Sequence, residues 1–254
     1  MKVGLQTNVF TADMHQHHFA AILATIKATG YDGLEIGIQR VDQSKVGVFA
    51  QMVADAGLET AAIHTHFRLN QPEWVATADT YIKQAIDLTA TVGATYMPMS
   101  GSRMDKTDAQ LATMADMLND FGRQAAAAGL KFCYHHHEWE FANDWHEMNF
   151  LMNNTNPAHV SILCDIGWVI KAGQSISHFI DTYGSRIAYF HVKDVPADGW
   201  FTELGKGIVP LDEFVHKLDA TTPSWLVVER DAPLEHAEQS SRESRTYLQE
   251  KFNI

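Results

Sequence analysis

The chain is short of cysteine, of cationic residues and of long apolar runs, and each shortage removes a class of protein. Its 254 residues hold two cysteines, Cys133 and Cys164, too few for a disulfide framework. They stand in separate strand-like runs. Strand alternation puts Cys133 on the face of His135, while Cys164 is one residue out of phase with Asp165. If those two polar residues share a face, the thiols point apart and stay free, as suits a reducing compartment. Lys and Arg number 19 against 31 Asp and Glu, a formal net charge of −12. That balance repels a polyanion, so no nucleic-acid partner is expected. No apolar run approaches the length of a membrane span, and MKVGLQTNVF reads directly as a strand rather than as a leader. A cytoplasmic location without a membrane partner is the expectation. No Ser/Gly/Pro-rich or low-complexity tract divides the chain, so one domain over 1–254 is expected.

What the chain has is alternation. Short apolar runs at 3–8, 33–38, 60–66, 95–100, 130–137, 161–167, 187–194 and 225–231 read as strands. Amphipathic stretches near 16–29, 43–56, 74–92, 108–128, 145–154, 175–183, 211–220 and 235–250 read as helices. Several helices end at glycine before the next strand, as in ATGYDGLEI, ADAGLET, ATVGATY and AAAAGLKF, where glycine supplies the left-handed residue that stops a helix. Eight βα units at this length predict a (β/α)8 TIM barrel. The competitor, an open doubly wound sheet, usually carries a Gly-rich turn after its first strand, and TNVFTADMHQ has none.

In such a barrel the C-terminal strand ends form the active site. Costly polar residues gather there: His64 and His66 on the third strand, His135 to His137 on the fifth, Asp165 on the sixth, His191 and Lys193 on the seventh, and Glu229 on the eighth. His135, Asp165, His191 and Glu229 point inward if Cys133, Leu163, Tyr189 and Val227, two positions back, pack the interior. Four inward imidazoles and carboxylates would repel or lie desolvated unless a cation neutralised them. A divalent metal held by these four is the prediction, and mixed N/O ligation suits Mn²⁺, Co²⁺, Zn²⁺ or Fe²⁺ better than Ca²⁺. The alternative is a hydrogen-bonded cluster without metal.

Through GYDGLEIG, GLKFCYHHHEWEF, ILCDIGWVIKAG, RIAYFHVKD, ELGKGIVPLDEF and LVVERD the chain resembles the xylose isomerase-like barrels, a family of sugar and sugar-phosphate isomerases and epimerases. YHHHEWEF is similar to the Tyr-His-Asn-His form of the fifth strand in one branch, and HVKD followed by ELGKG is the most specific match. The resemblance implies that Asp165, His191 and Glu229 are metal ligands, with His135 where many members have a fourth, glutamate ligand. The family's epimerases pair two glutamates across the substrate, and here only Glu229 of that pair remains. Trp168 likewise stands where many relatives carry histidine.

Further candidate roles follow from strand position and parity and, for Glu140 and Glu35, from that resemblance. Glu140 is the candidate replacement base, or else a solvated loop carboxylate. His64 is expected to hydrogen-bond a sugar hydroxyl. His66 and Trp168 are candidate substrate contacts, and Glu35 is either another contact or a rim hydrogen-bonding group. His137 is in phase with His135 and available as a base, while His136 should point outward as a structural residue. Lys193 could polarise a carbonyl or hold a phosphate. Gly205 and Gly207 in ELGKG make a tight turn, read as a loop hinge in preference to a phosphate cradle. The expected activity is a metal-dependent isomerase or epimerase that moves a proton through a metal-stabilised enediolate, with Glu229, Glu140, His64, His137 and Lys193 as catalytic candidates. The rival readings are a dehydratase of an inosose or dehydroshikimate-type substrate and a non-catalytic sugar-binding barrel. A DNA-repair reading is opposed by the acidic balance. The partner is a small sugar, sugar phosphate or cyclic polyol, and a homo-oligomer stays open.

Overall fold

The apolar runs pair as parallel strands because each is separated from the next by a helix that must cross back over the sheet. The computed structural model describes residues 1–68, 71–221 and 223–254. In order they form β1 (Lys2–Gln6), α1 (Ala12–His17), α2 (Phe19–Ala28), β2 (Gly33–Gly37), α3 (Val46–Asp55), β3 (Glu59–His66), α4 (Pro72–Thr91), β4 (Tyr96–Ser100) and α5 (Asp108–Ala127). The second half is β5 (Lys131–His135), α6 (Ala142–Asn154), β6 (Val160–Asp165), α7 (Ile166–Lys171), α8 (Ile176–Tyr183), β7 (Ile187–Val192), α9 (Leu211–Thr221), β8 (Trp225–Val228) and α10 (Ala237–Phe252). All strand pairs are parallel and β8 closes on β1, completing the TIM barrel. Among the described residues no helix is long and apolar enough to cross a membrane.

Two apolar layers result. Ala62, Tyr96, Cys133, Leu163, Tyr189, Trp225 and Val227 fill the barrel interior, and a larger shell packs between sheet and helices. Cys164 belongs to that outer shell, so the two free thiols face opposite sides of the sheet, as their phases predicted. Tyr96 stacks on Tyr189 with ring centroids 4.5 Å apart, forming a floor above which the strand ends turn polar. β3 and β7 each carry an extra residue in the ladder, Ala61 and Ala188. Such bulges re-aim the side chains downstream of them, and His64 and His191 each come three residues later.

Strands stop earlier than the sequence pattern suggests. His136 and His137 lie beyond β5, Lys193 and Asp194 beyond β7, and Glu229 to Asp231 beyond β8, because alternation persists into the first extended loop residues after the ladder has ended. Residues 166 and 167, expected in the sixth strand, instead open α7: Asp165 accepts a hydrogen bond from the Trp168 amide at 3.1 Å and caps that helix.

The ELGKG turn is closed from within. Asp194 Oδ2 accepts from the amides of Gly205 and Gly207, each at 2.9 Å, and its Oδ1 from those of Val195 (2.9 Å) and Val209 (3.0 Å). A Cβ on Gly207 would collide with this carboxylate. The amides that a phosphate would need are already taken, so the turn is a fastening and no anion cradle.

A candidate metal centre at the barrel mouth

His135 ends β5, Asp165 ends β6, His191 lies on β7 and Glu229 follows β8. One donor atom from each converges with the others within 4.8 Å, and all four residues are buried. His135 Nε2 lies 3.3 Å from Asp165 Oδ2, and His191 Nδ1 lies 3.4 Å from the same oxygen and 2.7 Å from Glu229 Oε2. Local structure aims each group. Asp165 spends Oδ1 on the α7 cap, which leaves Oδ2 for the centre. The Asp165 amide donates to His136 Nε2 at 3.2 Å, and the His136 ring packs among Phe141 and Phe179. His136 therefore points outward as a structural residue.

Charge balance comes from Lys193, which is fully buried with its Nζ 2.8 Å from Asp165 Oδ2, 2.8 Å from Glu229 Oε2 and 2.6 Å from Asp231 Oδ2. Burial alone would raise both carboxyls. Lys193 and the neighbouring histidines overcome it and hold Asp165 and Glu229 well below the usual carboxylate range. Burial likewise opposes charge on His191, but Glu35 and Glu229 on its two sides raise it well above an ordinary histidine. His191 Nδ1 and Glu229 Oε2 have no directed hydrogen-bond partner although both are buried. Two imidazole nitrogens and two carboxylate oxygens, two of these atoms without hydrogen-bond geometry, fit a first-row divalent cation.

A cleft of about 120 Å³ opens over this centre. Of the residues expected at the site, His64, His66, His135, His137 and Glu229 line it. Burial, with a smaller effect from His64, pushes His66 down to about 4. Six expected residues do not line it: Asp165 and His191 belong to the centre beneath, and four others lie elsewhere for identifiable reasons. Glu35 is fully buried below the mouth, its carboxylate shared among Gln6, His64, Tyr189 and His191. It lies outside the cleft lining and ties together side chains from β1, β3 and β7. Glu140 is fully buried too, accepting from Tyr134 Oη at 2.7 Å and the His137 amide at 2.8 Å, so it is neither a solvated loop carboxylate nor a base within reach of the cleft. Lys193 is committed to three carboxylates, which replaces the expected carbonyl or phosphate contact. Trp168 is 4% exposed, packed behind His137 against Trp200 and Phe201, with Lys193 Nζ 5.3 Å from its ring.

Sequence reasoning missed six residues that line the cleft: Gln6, Asn8, Gly37, Gln39, Ser100 and Asp231. Asn8 Nδ2 donates to Glu229 Oε1 at 3.2 Å. Asp231 is pushed up to about 6, chiefly by burial, although Lys193 opposes the rise. Its signal was available, since it stands two residues after Glu229 and keeps that parity. Ser100 carried no signal, because a serine ending an apolar strand says nothing until its neighbours are known.

Fold and mouth together define a (β/α)8 barrel that presents a buried His₂/carboxylate₂ group at its catalytic face. The family model described as xylose isomerase-like TIM barrel matches residues 23–251, and the chain belongs to that family. It is 26% identical over 271 residues to inosose dehydratase 1 of Bacillus cereus, covering 93% of this chain and 90% of that protein. Matches to other inosose dehydratases are shorter and span less than two thirds of those proteins, 61% for that of Bacillus anthracis. Among solved structures, a sugar phosphate isomerase/epimerase from Parabacteroides distasonis superposes with a TM-score of 0.83 at 21% identity, covering 98% of this chain and 93% of that one. The IolI protein with a bound zinc atom superposes with a TM-score of 0.81 at 17% identity over the whole of both chains.

Proposed function

We propose that the protein is a metal-dependent lyase that removes water from a cyclic polyol ketone of the inosose type. The observation that carries this reading is the one-sided supply of carboxylates to the cleft. Glu229 and Asp231 both follow β8, and the other rim groups of predicted function, His64, His66, His135 and His137, are imidazoles. Epimerisation by paired glutamates needs a carboxylate on each face of the substrate, and His135 occupies the place of the second. Elimination of water needs a base and an acid that reach adjacent carbons, which two residues on one segment can provide. The similarity to an inosose dehydratase over 90% of that protein supports the same choice.

His135, Asp165, His191 and Glu229 would hold the cation, which when bound supplies Lewis-acid polarisation of the ketone and an adjacent hydroxyl. The chain's own groups do the rest. Glu229 takes the proton from the carbon next to the ketone. The electron pair forms the new C=C bond as the C–O bond of the neighbouring carbon breaks, and Asp231 protonates the departing hydroxyl so that it leaves as water. Asn8 keeps Glu229 oriented, while His66 and His137 offer ring hydroxyls their hydrogen-bonding partners. The second reading, an isomerase or epimerase, is favoured by imidazoles three strands round the ring from β8, on β3 and after β5, which could return a proton from another side.

The test is protein loaded with Mn²⁺ or Co²⁺ and incubated with an inosose in D₂O, followed by NMR and mass spectrometry. A product lighter by one water supports the lyase. A stereoisomer, or deuterium at the ring carbon with no loss of water, supports the isomerase instead. Asp231→Asn should lower kcat about 10²-fold or more with little change in KM. Absence of both metal binding and exchange with any polyol would overturn both readings.

A further inference from the structure

Five buried side chains on five strands form one hydrogen-bonded line between the two histidines of the centre. His135 Nδ1 lies 3.1 Å from Ser100 Oγ, and that oxygen lies 2.6 Å from His64 Nε2. His64 Nδ1 lies 2.7 Å from Glu35 Oε1, and the same oxygen lies 3.0 Å from His191 Nε2. None of the five is more than 6% exposed, so water does not compete for these contacts.

The direction of every bond is set by its acidic member. Gln6 Nε2, which can only donate, lies 3.2 Å from Glu35 Oε1, and Tyr189 Oη donates to Oε2 at 2.7 Å, so both carboxylate oxygens face donors. An ionised carboxylate only accepts, so His191 Nε2 and His64 Nδ1 both carry hydrogen. In its neutral form His64 then has only a lone pair on Nε2, and the single Ser100 hydrogen goes to it. Ser100 Oγ is left as an acceptor, which His135 can satisfy only from a protonated Nδ1. His135 Nε2 therefore bears a lone pair, although it faces Asp165 Oδ2 at 3.3 Å. Two electron-pair donors at that separation repel unless a cation lies between them.

We propose that Glu35, acting through His64 and Ser100, fixes His135 as its Nδ1–H tautomer and so presents the Nε2 lone pair to the metal. The inference rests on the metal-centre reading and extends it to three positioning residues. A glutamate at this position would offer oxygen lone pairs whatever its surroundings. A histidine offers Nε2 in only one of its two neutral tautomers, and here Ser100, the end residue of β4, selects it. His135 is thus accommodated as a ligand by residues outside the ligand set, as outer-shell partners generally set ring orientation and affinity.

The tautomer can be read directly in metal-free protein, because the two ring nitrogens of a histidine give different ¹⁵N shifts according to which one bears hydrogen. Long-range ¹H–¹⁵N correlation spectra of histidine-labelled protein should show hydrogen on Nδ1 of both His135 and His64. In Ser100→Ala, His135 should move toward the Nε2–H form, donating to Asp165, and affinity for Zn²⁺ alone should fall about 10- to 100-fold by calorimetry. Glu35→Gln keeps a carbonyl oxygen able to accept from both rings, so it should preserve the tautomers while weakening Zn²⁺ binding. An Nε2–H His135 in the wild type overturns the proposal, and so does an unchanged tautomer with unchanged affinity in Ser100→Ala. The spectra of the metal-free protein decide it whatever the metal affinity, so a wild type that binds no Zn²⁺ but shows Nδ1–H on His135 would fail the metal reading alone.

Discussion

Lys193 and Glu140 are both fully buried ionisable side chains, and their neighbours give them opposite fates. Lys193 is kept charged: burial works against it, but Asp165, Asp231 and Glu229 raise it above an ordinary lysine. Lys193→Met would strand three carboxylates around one point and should destabilise the metal-free protein by about 3–5 kcal/mol. Added divalent cation should restore more stability to this variant than to the wild type, as denaturant midpoints with and without Mn²⁺ will show. Equal stability of variant and wild type would refute the charge-balancing role. Glu140 has no such cation in contact, and burial followed by repulsion from Glu147 pushes it from 4.5 up to about 7. The folded protein then retains this proton where the unfolded chain has lost it. Stability must fall as pH rises from about 4.5 to about 7, by up to roughly 3 kcal/mol at 1.36 kcal/mol per unit. Glu140→Gln keeps a carbonyl oxygen able to accept from the His137 amide and has no proton to lose, so the wild-type-minus-variant difference should carry that slope. A pH-independent difference across the window would contradict it.

The connection from β7 to α9 shows how one side chain organises an element-sized segment. Asp194→Ala would leave four backbone amides without their acceptor, at a cost of about 2–4 kcal/mol. Gly207→Ala should do comparable damage by forcing the carboxylate aside, and thermal unfolding of the two variants should agree in direction. The connection also marks what the sequence could convey. HVKD…ELGKG was visible as a motif, but a motif does not say which partner its amides face, and they face inward to Asp194. Strand number, ring closure and the inward parity of His135, Asp165 and His191 were legible, because burial on one face imposes a period of two. α7 was hidden because Ile-Gly-Trp-Val-Ile is apolar at every residue but the glycine, and such a run reads equally as strand or helix. The cap made by Asp165 and the positive φ of 70° at Gly173 decide the matter. Gly167 permits the close approach of α7 to Lys193, whose Cβ would lie 2.7 Å from any Cβ placed there. That Glu35, Glu140, Lys193 and Trp168 lie outside the cleft lining has one cause. Sequence position tells that a side chain is near the rim, but depth below it depends on neighbours from other strands.

At the scale of the molecule, metal and fold should be linked. If the folded protein alone forms the centre, cation at 100 times its Kd should add about 2.7 kcal/mol to stability, and a chelator should remove it. Asp165→Ala or His191→Ala should abolish that gain, and retained stoichiometric metal in either would refute the four-residue site. The barrel rim is also unequal around its circumference. Residues 202–209 are fastened by Asp194, by the Thr202 amide to the Asp194 carbonyl (2.9 Å) and by the Ile208 amide to the Val195 carbonyl (2.8 Å). Gln39 and Asn8, on the turns after β2 and β1, line the other margin of the cleft. Traffic in and out of the mouth should therefore pass over the β1–β2 side. A protease added to the native protein should nick that margin first and leave the Asp194 strap intact until the whole barrel gives way.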